Sequence, residues 1–158
     1  MSVVPEEPAE RVREVVSRVI VALGLDASVE VTENAEEIRA TVAGPDEMGR
    51  LIGRHGQTID ALQHLAWRAA FHDRDERKTV IVDAAGYRQR REEALQRQAD
   101  RAASEALRFG RPVELDPMSA PERKTVHTYL ADRIDVETHS EGDEPERRLV
   151  VSPLRPSS

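Results

Sequence analysis

The sequence predicts an α+β fold made of two small domains, and three observations carry that expectation. Apolar residues recur at three- and four-residue spacing in some stretches and alternate in others, so helices and strands are interleaved. The order of elements starts afresh after a long helical stretch in the middle of the chain, with no internal repeat. A chain of 158 residues, 39% apolar and 34% charged, suits one or two soluble cores.

From Pro8 to Leu25, Val12, Val15, Val16, Val19, Ile20 and Leu23 mark one helix face, and Gly24 stands where the helix would stop. Val29 and Val31 alternate with polar residues, as do Ile38, Ala40 and Val42, with Asn34 between the runs and Gly44-Pro45 after them. This predicts a hairpin. A short helical piece over 45–51, the turn Gly53-Arg54-His55-Gly56, and a helix with Ile59, Leu62, Leu65, Ala66 and Ala69 on one face follow. Thr79–Ala84 reads as a buried strand. Tyr87–Phe109 is a long amphipathic helix with the stripe Leu95, Ala99, Ala102, Ala106 and Phe109, stopped by Gly110 and Pro112. Beyond it come a strand at Val113–Leu115, a helix from Ala120 to Asp132, a strand at Ile134–Thr138, an acidic turn through Glu141-Gly142-Asp143 and a strand at Arg147–Ser152. The expected domains are 5–84 and 85–154, the second opening with a connecting helix over 86–110; residues 155–158 are expected to be a disordered tail.

Composition removes several classes of function. With no cysteine, disulfide frameworks, thiolate nucleophiles and Cys-based metal sites are excluded. No apolar run approaches the roughly 18 residues of a membrane span, and the start, Met1 to Glu7, is acidic where a signal peptide is basic and then apolar. A cytoplasmic protein without membrane insertion is expected. Only five aromatic residues occur, Trp67, Phe71, Tyr87, Phe109 and Tyr129, too few for modules that stack bases on aromatic platforms. The formal charge of −7 argues against a whole-surface nucleic-acid binder. That charge is unevenly spread: residues 1–47 carry −7, residues 48–111 carry +4 and residues 112–158 carry −4. The basic middle is the footprint of either an anionic ligand or an ion-paired helix surface.

In a chain with 8 glycines in 158 residues, G-x-x-G arises by chance roughly 0.4 times, so its context must carry it. Here the turn lies between two predicted helices, and a helix starting near Gln57 or Thr58 aims free backbone amides at whatever occupies it. Glycines let a sugar-phosphate backbone come close, and Arg54 and His55 add charge and hydrogen bonds. A plain joint between helices, its glycines serving only positive φ, explains the turn equally well.

The order helix–strand–strand–helix–GxxG–helix–strand, with Leu51-Ile52-Gly53-Arg54-His55-Gly56-Gln57-Thr58-Ile59-Asp60-Ala61-Leu62-Gln63, is similar to a type II KH domain. The resemblance implies a clamp for about four nucleotides of single-stranded RNA, phosphates at Gly53–Gly56 and bases in an apolar groove beside it. Ile52, Gly53, Arg54, His55, Gly56 and Gln57 are the candidate contacts. Ile52, Ile59 and Leu62 fit either groove or core, and Leu62 continues the helix stripe.

Ser119-Ala120-Pro121-Glu122 matches a capping box. On the helix it starts, Arg123 and His127 stand four residues apart on one face, with Val126, Tyr129 and Leu130 on another. Such a pair can hold a phosphate between guanidinium and imidazole, or can be a surface Arg beside a His at the core's edge. The segments Tyr87-Arg88-Gln89-Arg90-Arg91, Gly110 to Met118, Glu122 to His127, Val136 to Gly142 and Arg147 to Val151 resemble an R-3-H domain. That implies three antiparallel strands against two helices and binding of single-stranded nucleic acid through Arg123, Lys124 and His127. A KH unit followed by an R-3-H unit resembles the bacterial Jag/KhpB (SpoIIIJ-associated) family over nearly the whole chain. Many members carry an extra N-terminal Jag domain and linker. This sequence begins almost directly with the KH helix, so contacts near the membrane insertase that depend on that domain are not implied.

The resemblance implies post-transcriptional regulation linked to growth, division or cell shape, and partnership with single-stranded RNA, or DNA, and with a small single-KH protein of the KhpA type. No cofactor, metal site or catalytic residue is expected. A nuclease using His55 or His127 lacks a recognisable second titrating group. His64 and His72 and the acidic pairs Glu36-Glu37, Glu92-Glu93 and Asp143-Glu144 read as surface. The alternative to RNA binding is a protein scaffold seating a partner helix on the stripe from Leu95 to Phe109.

Overall fold

The computed structural model describes residues 5–45 and 47–155. Its contacts divide into one compact unit that ends at Arg88 and another that begins at Gln89. In chain order the elements are α1 (Pro8–Ala22), β1 (Ser28–Glu33), β2 (Glu37–Ala43), α2 (Gly49–Ile52), a 3-10 turn (Arg54–Gly56), α3 (Gln57–Phe71), β3 (Thr79–Ala84), α4 (Tyr87–Phe109), β4 (Val113–Glu114), α5 (Ala120–Leu130), β5 (Val136–Glu141) and β6 (Arg148–Pro153). The fold is α+β. Residues 156–158 of the expected tail lie outside the described residues.

In the first unit the sheet order is β1-β2-β3, with β2 antiparallel to β1 and parallel to β3. A parallel neighbour requires a crossover, and α2, the turn and α3 supply it. Ile38, Ala40 and Val42 of β2 and Val80, Val82 and Ala84 of β3 alternate onto the buried face. Val12, Val16 and Ile20 of α1 and Ile59, Leu62, Ala66, Ala70 and Phe71 of α3 cover it. The bidentate pair from Arg11 to Asp73, at 2.6 and 3.1 Å, ties α1 to the segment just past α3. Leu65, expected on the buried face, is exposed. The stripe runs through Ile59, Leu62, Ala66 and Ala70, and Leu65 sits one residue off it, about 100° around the helix.

In the second unit β6 is central and antiparallel to both β4 and β5. Leu149 and Val151 face a core completed by Leu95, Ala99, Ala102 and Ala103 of α4 and Val126 and Leu130 of α5. Phe109 does not continue the α4 stripe. It is exposed, with the guanidiniums of Arg108 and Arg111 at 5.3 and 5.4 Å from its ring centre. The strand expected at 134–138 is displaced: Ile134 is exposed, Arg133 pairs with Asp135 at 2.9 Å in the turn, and β5 runs from Val136 to Glu141. Tyr129 is likewise exposed, its hydroxyl donating to Asp100. Half of the capping box forms, Ser119 Oγ accepting from the Glu122 amide at 3.4 Å. The Glu122 carboxylate instead receives Arg91 Nε at 2.7 Å.

Candidate nucleic-acid interface

α2 has one turn because Gly53 leaves helical space, at φ +73° and ψ 179°, a conformation reserved for glycine. His55 (φ +54°) and Gly56 (φ +76°) are both left-handed, so the chain reverses within four residues and enters α3 at Gln57. Both glycines are also close-packed. A Cβ on Gly53 would lie 2.9 Å from the Thr58 nitrogen, and one on Gly56 would lie 2.6 Å from the Tyr87 hydroxyl.

The turn is anchored underneath by Leu51 and Ile59, both fully buried, while Arg54, His55, Gln57 and Thr58 are exposed and Ile52 is half-buried. Ile59 and Leu62 thus belong to the core. No side chain caps α3, whose N-cap is Gly56. The first-turn amides keep the partial positive charge of a helix N-terminus. The acid in that first turn, Asp60, is paired with Arg88 Nη1 at 2.8 Å, and Arg88 Nε is fixed by the Val82 carbonyl at 2.9 Å. Among the described residues, the side chains of Arg50 and Arg54 make no ion pair. Arg88 and Tyr87 shape this site without belonging to its sequence motif, because their contacts depend on the sheet and helices having packed.

On α5, Arg123 and His127 share a face but do not bond to each other. Arg123 Nη1 donates to the Met118 carbonyl and Nη2 to Glu144 Oε1, both at 2.6 Å, and its side chain is only 11% exposed. His127 Nδ1 is hydrogen-bonded to Thr138 Oγ1 of β5, and the residue is otherwise exposed. Lys124 is exposed and borders an open groove of about 430 Å³ with Glu92, Gln96, Thr125, Thr128 and Tyr129. Sequence reasoning did not find the roles of Met118 and Glu144.

Family models match both parts of the chain: that of the KhpA/KhpB KH domain over residues 9–83 and that of the R-3-H domain over residues 93–153. The RNA-binding protein KhpB of Bacillus subtilis is 30% identical over 151 residues, an alignment that covers 94% of this chain and 72% of that protein. The chain belongs to the KhpB family.

Two further relatives carry the same name. The KhpB of Clostridium symbiosum is 37% identical over 130 residues, 82% of this chain and 58% of its own length. That of Streptococcus pneumoniae serotype 2 is 34% identical over 146 residues, 92% and 44% respectively. The chain therefore spans about half the length of these two KhpB proteins. No described helix is long and apolar enough to cross a membrane.

Proposed function

We propose that the chain binds single-stranded RNA at the Gly53–Gly56 turn. Phosphates lie against Gly53 and the first amides of α3, Arg54, His55 and Gln57 bind from the rim, and Ile52 offers an apolar edge to a base, while the buried Gly56, its amide bonded to the Gly53 carbonyl, sets the shape of the turn. The observation that carries this reading is the left-handed turn feeding an uncapped, charge-neutralised N-terminus of α3, with Arg54 in the turn itself exposed and in no ion pair among the described residues. A second contact on α5 uses Arg123, Lys124 and His127. Two modest sites on one strand reinforce each other through effective concentration. The relatives' name, RNA-binding protein KhpB, supports the choice of RNA over other polyanions.

The action proposed is binding without catalysis: His127 Nδ1 engages the Thr138 hydroxyl, and among the described residues no carboxylate or second imidazole bonds to its ring. The family membership supports a cytoplasmic role in post-transcriptional regulation of growth, division or cell shape, with a small single-KH protein of the KhpA type as partner.

The test is fluorescence anisotropy of a short unstructured RNA at two salt concentrations, with the native chain and the Arg54→Asp/His55→Asp variant. Salt-sensitive binding that the variant loses, at unchanged melting temperature, is the expected result. Equal binding by both chains contradicts the turn as the contact; no binding by the native chain across several RNA compositions favours a protein partner. A deoxy strand of the same sequence reads the contribution of the 2′-OH.

A further inference from the structure

We infer that Glu144 is a built-in competitor for the α5 site, its carboxylate occupying the place on Arg123 that an RNA phosphate oxygen takes. This rests on the reading of Arg123 as a phosphate contact and adds how access to it is controlled. Arg123 is the fixed member of the pair: Nη1 is held by the Met118 carbonyl at 2.6 Å and the side chain is 11% exposed. Glu144 is the movable member. Its side chain is 60% exposed, and its carboxylate meets Arg123 Nη2 at 2.6 Å.

That distance and charge are those of a guanidinium–phosphate contact, so a phosphate and Glu144 exclude each other at Nη2. Glu144 also lies in an acidic connection between β5 and β6, with Glu141, Asp143 and Glu146 nearby in sequence. The exposed Glu144 carboxylate regains its hydration on leaving, and the phosphate that replaces it keeps the largely buried Arg123 paired, so the exchange leaves no buried charge uncompensated. The device therefore sets a threshold. A single weak anion does not displace Glu144, whereas a strand already held elsewhere on the chain presents its phosphate at high effective concentration and does.

The experiment compares the full chain with Glu144→Gln, Asp143→Asn, Arg123→Ala and the Glu144→Gln/Arg123→Ala double variant. Asp143 matches the charge change, and its side chain makes no ion pair among the described residues. RNA affinity is expected to rise about threefold to fivefold in Glu144→Gln, the upper end of the range for exposed ion pairs, because only the Glu144 side of this pair is open to solvent. The rise is expected to be under about twofold in Asp143→Asn, which removes only screened repulsion, and to vanish when Arg123 is Ala. Unchanged or weaker binding by Glu144→Gln means that Glu144 positions Arg123 and overturns the proposal. An equal rise in Asp143→Asn reduces it to general repulsion and overturns it too.

A second readout does not depend on RNA. Pyrophosphate titrated against the Arg123 Nε–H NMR signal is expected to act at several-fold lower concentration in Glu144→Gln than in the native chain. Equal midpoints reject the competition. If neither chain binds RNA while these midpoints separate, the RNA reading fails and Glu144 still competes for the anion site.

Discussion

Gly56 lies against Tyr87: a methyl group in place of its hydrogen would sit 2.6 Å from the phenol oxygen and 2.8 Å from the ring. The second glycine of the turn is therefore fixed twice, by a left-handed backbone and by the first residue of α4. Gly56→Ala is expected to cost about 2 kcal/mol or more, strain plus overpacking. Gly24 has the same sign of φ (+66°) but open space around it, so Gly24→Ala is expected to cost about 1 kcal/mol. Urea unfolding of the two variants reads the difference directly.

The Arg11–Asp73 pair makes the first unit acid-sensitive. The Arg11 guanidinium, by hydrogen bond and by charge, lowers the Asp73 carboxyl from 3.8 to about 2. A carboxyl whose folded pKa is depressed stabilises the fold above its unfolded value and loses that contribution as pH falls through the folded one. Stability is therefore expected to decline between about pH 4 and pH 2. Asp73→Asn is less stable than the native chain at pH 7 and shows a shallower decline in that window. A parallel pair of curves from equilibrium unfolding across the range contradicts this.

Leu62 and Leu65 are three residues apart and have opposite fates, 3% and 58% exposed. Leu62→Ala is expected to cost about 2–5 kcal/mol, transfer and cavity together. Leu65→Ala and Phe109→Ala are expected to stay within about 0.5 kcal/mol, as exposed positions do. Chemical denaturation of the three variants checks the helix registers.

At α5, Arg123→Ala with His127→Ala is expected to weaken RNA binding and to reduce the slope of log affinity against log salt by about one, the release of about one counterion fewer. The pair is excluded as a phosphate contact by an unaltered slope. Melting temperature is measured alongside, since Arg123 also ties Met118 to Glu144.

Much of this architecture was legible because it follows from local rules. The alternation of Ile38, Ala40 and Val42, the stop at Gly24 and the glycine turn each depend on a few neighbouring residues. What failed was the edge of each stripe. Leu65 and Phe109 are apolar at helical spacing, yet burial depends on what lies opposite, and both remain more than half exposed. The shift of β5 has a similar origin: Ile134 looks like a strand start, but the Arg133–Asp135 pair keeps that stretch in the turn. At the sites, the motif positions were visible, while their neighbours were not. Arg88 reaches Asp60 across 28 residues and Glu144 reaches Arg123 across 21, contacts that exist only once the units have folded.

The most direct test of RNA binding at the turn is to follow backbone amide NMR signals while a short single-stranded RNA is titrated into the native chain. The largest shifts are expected at Gly53, His55, Gly56, Gln57 and Thr58, with a smaller set around Arg123 and His127. Saturable RNA binding that leaves the amides from Gly53 to Thr58 unmoved contradicts the account.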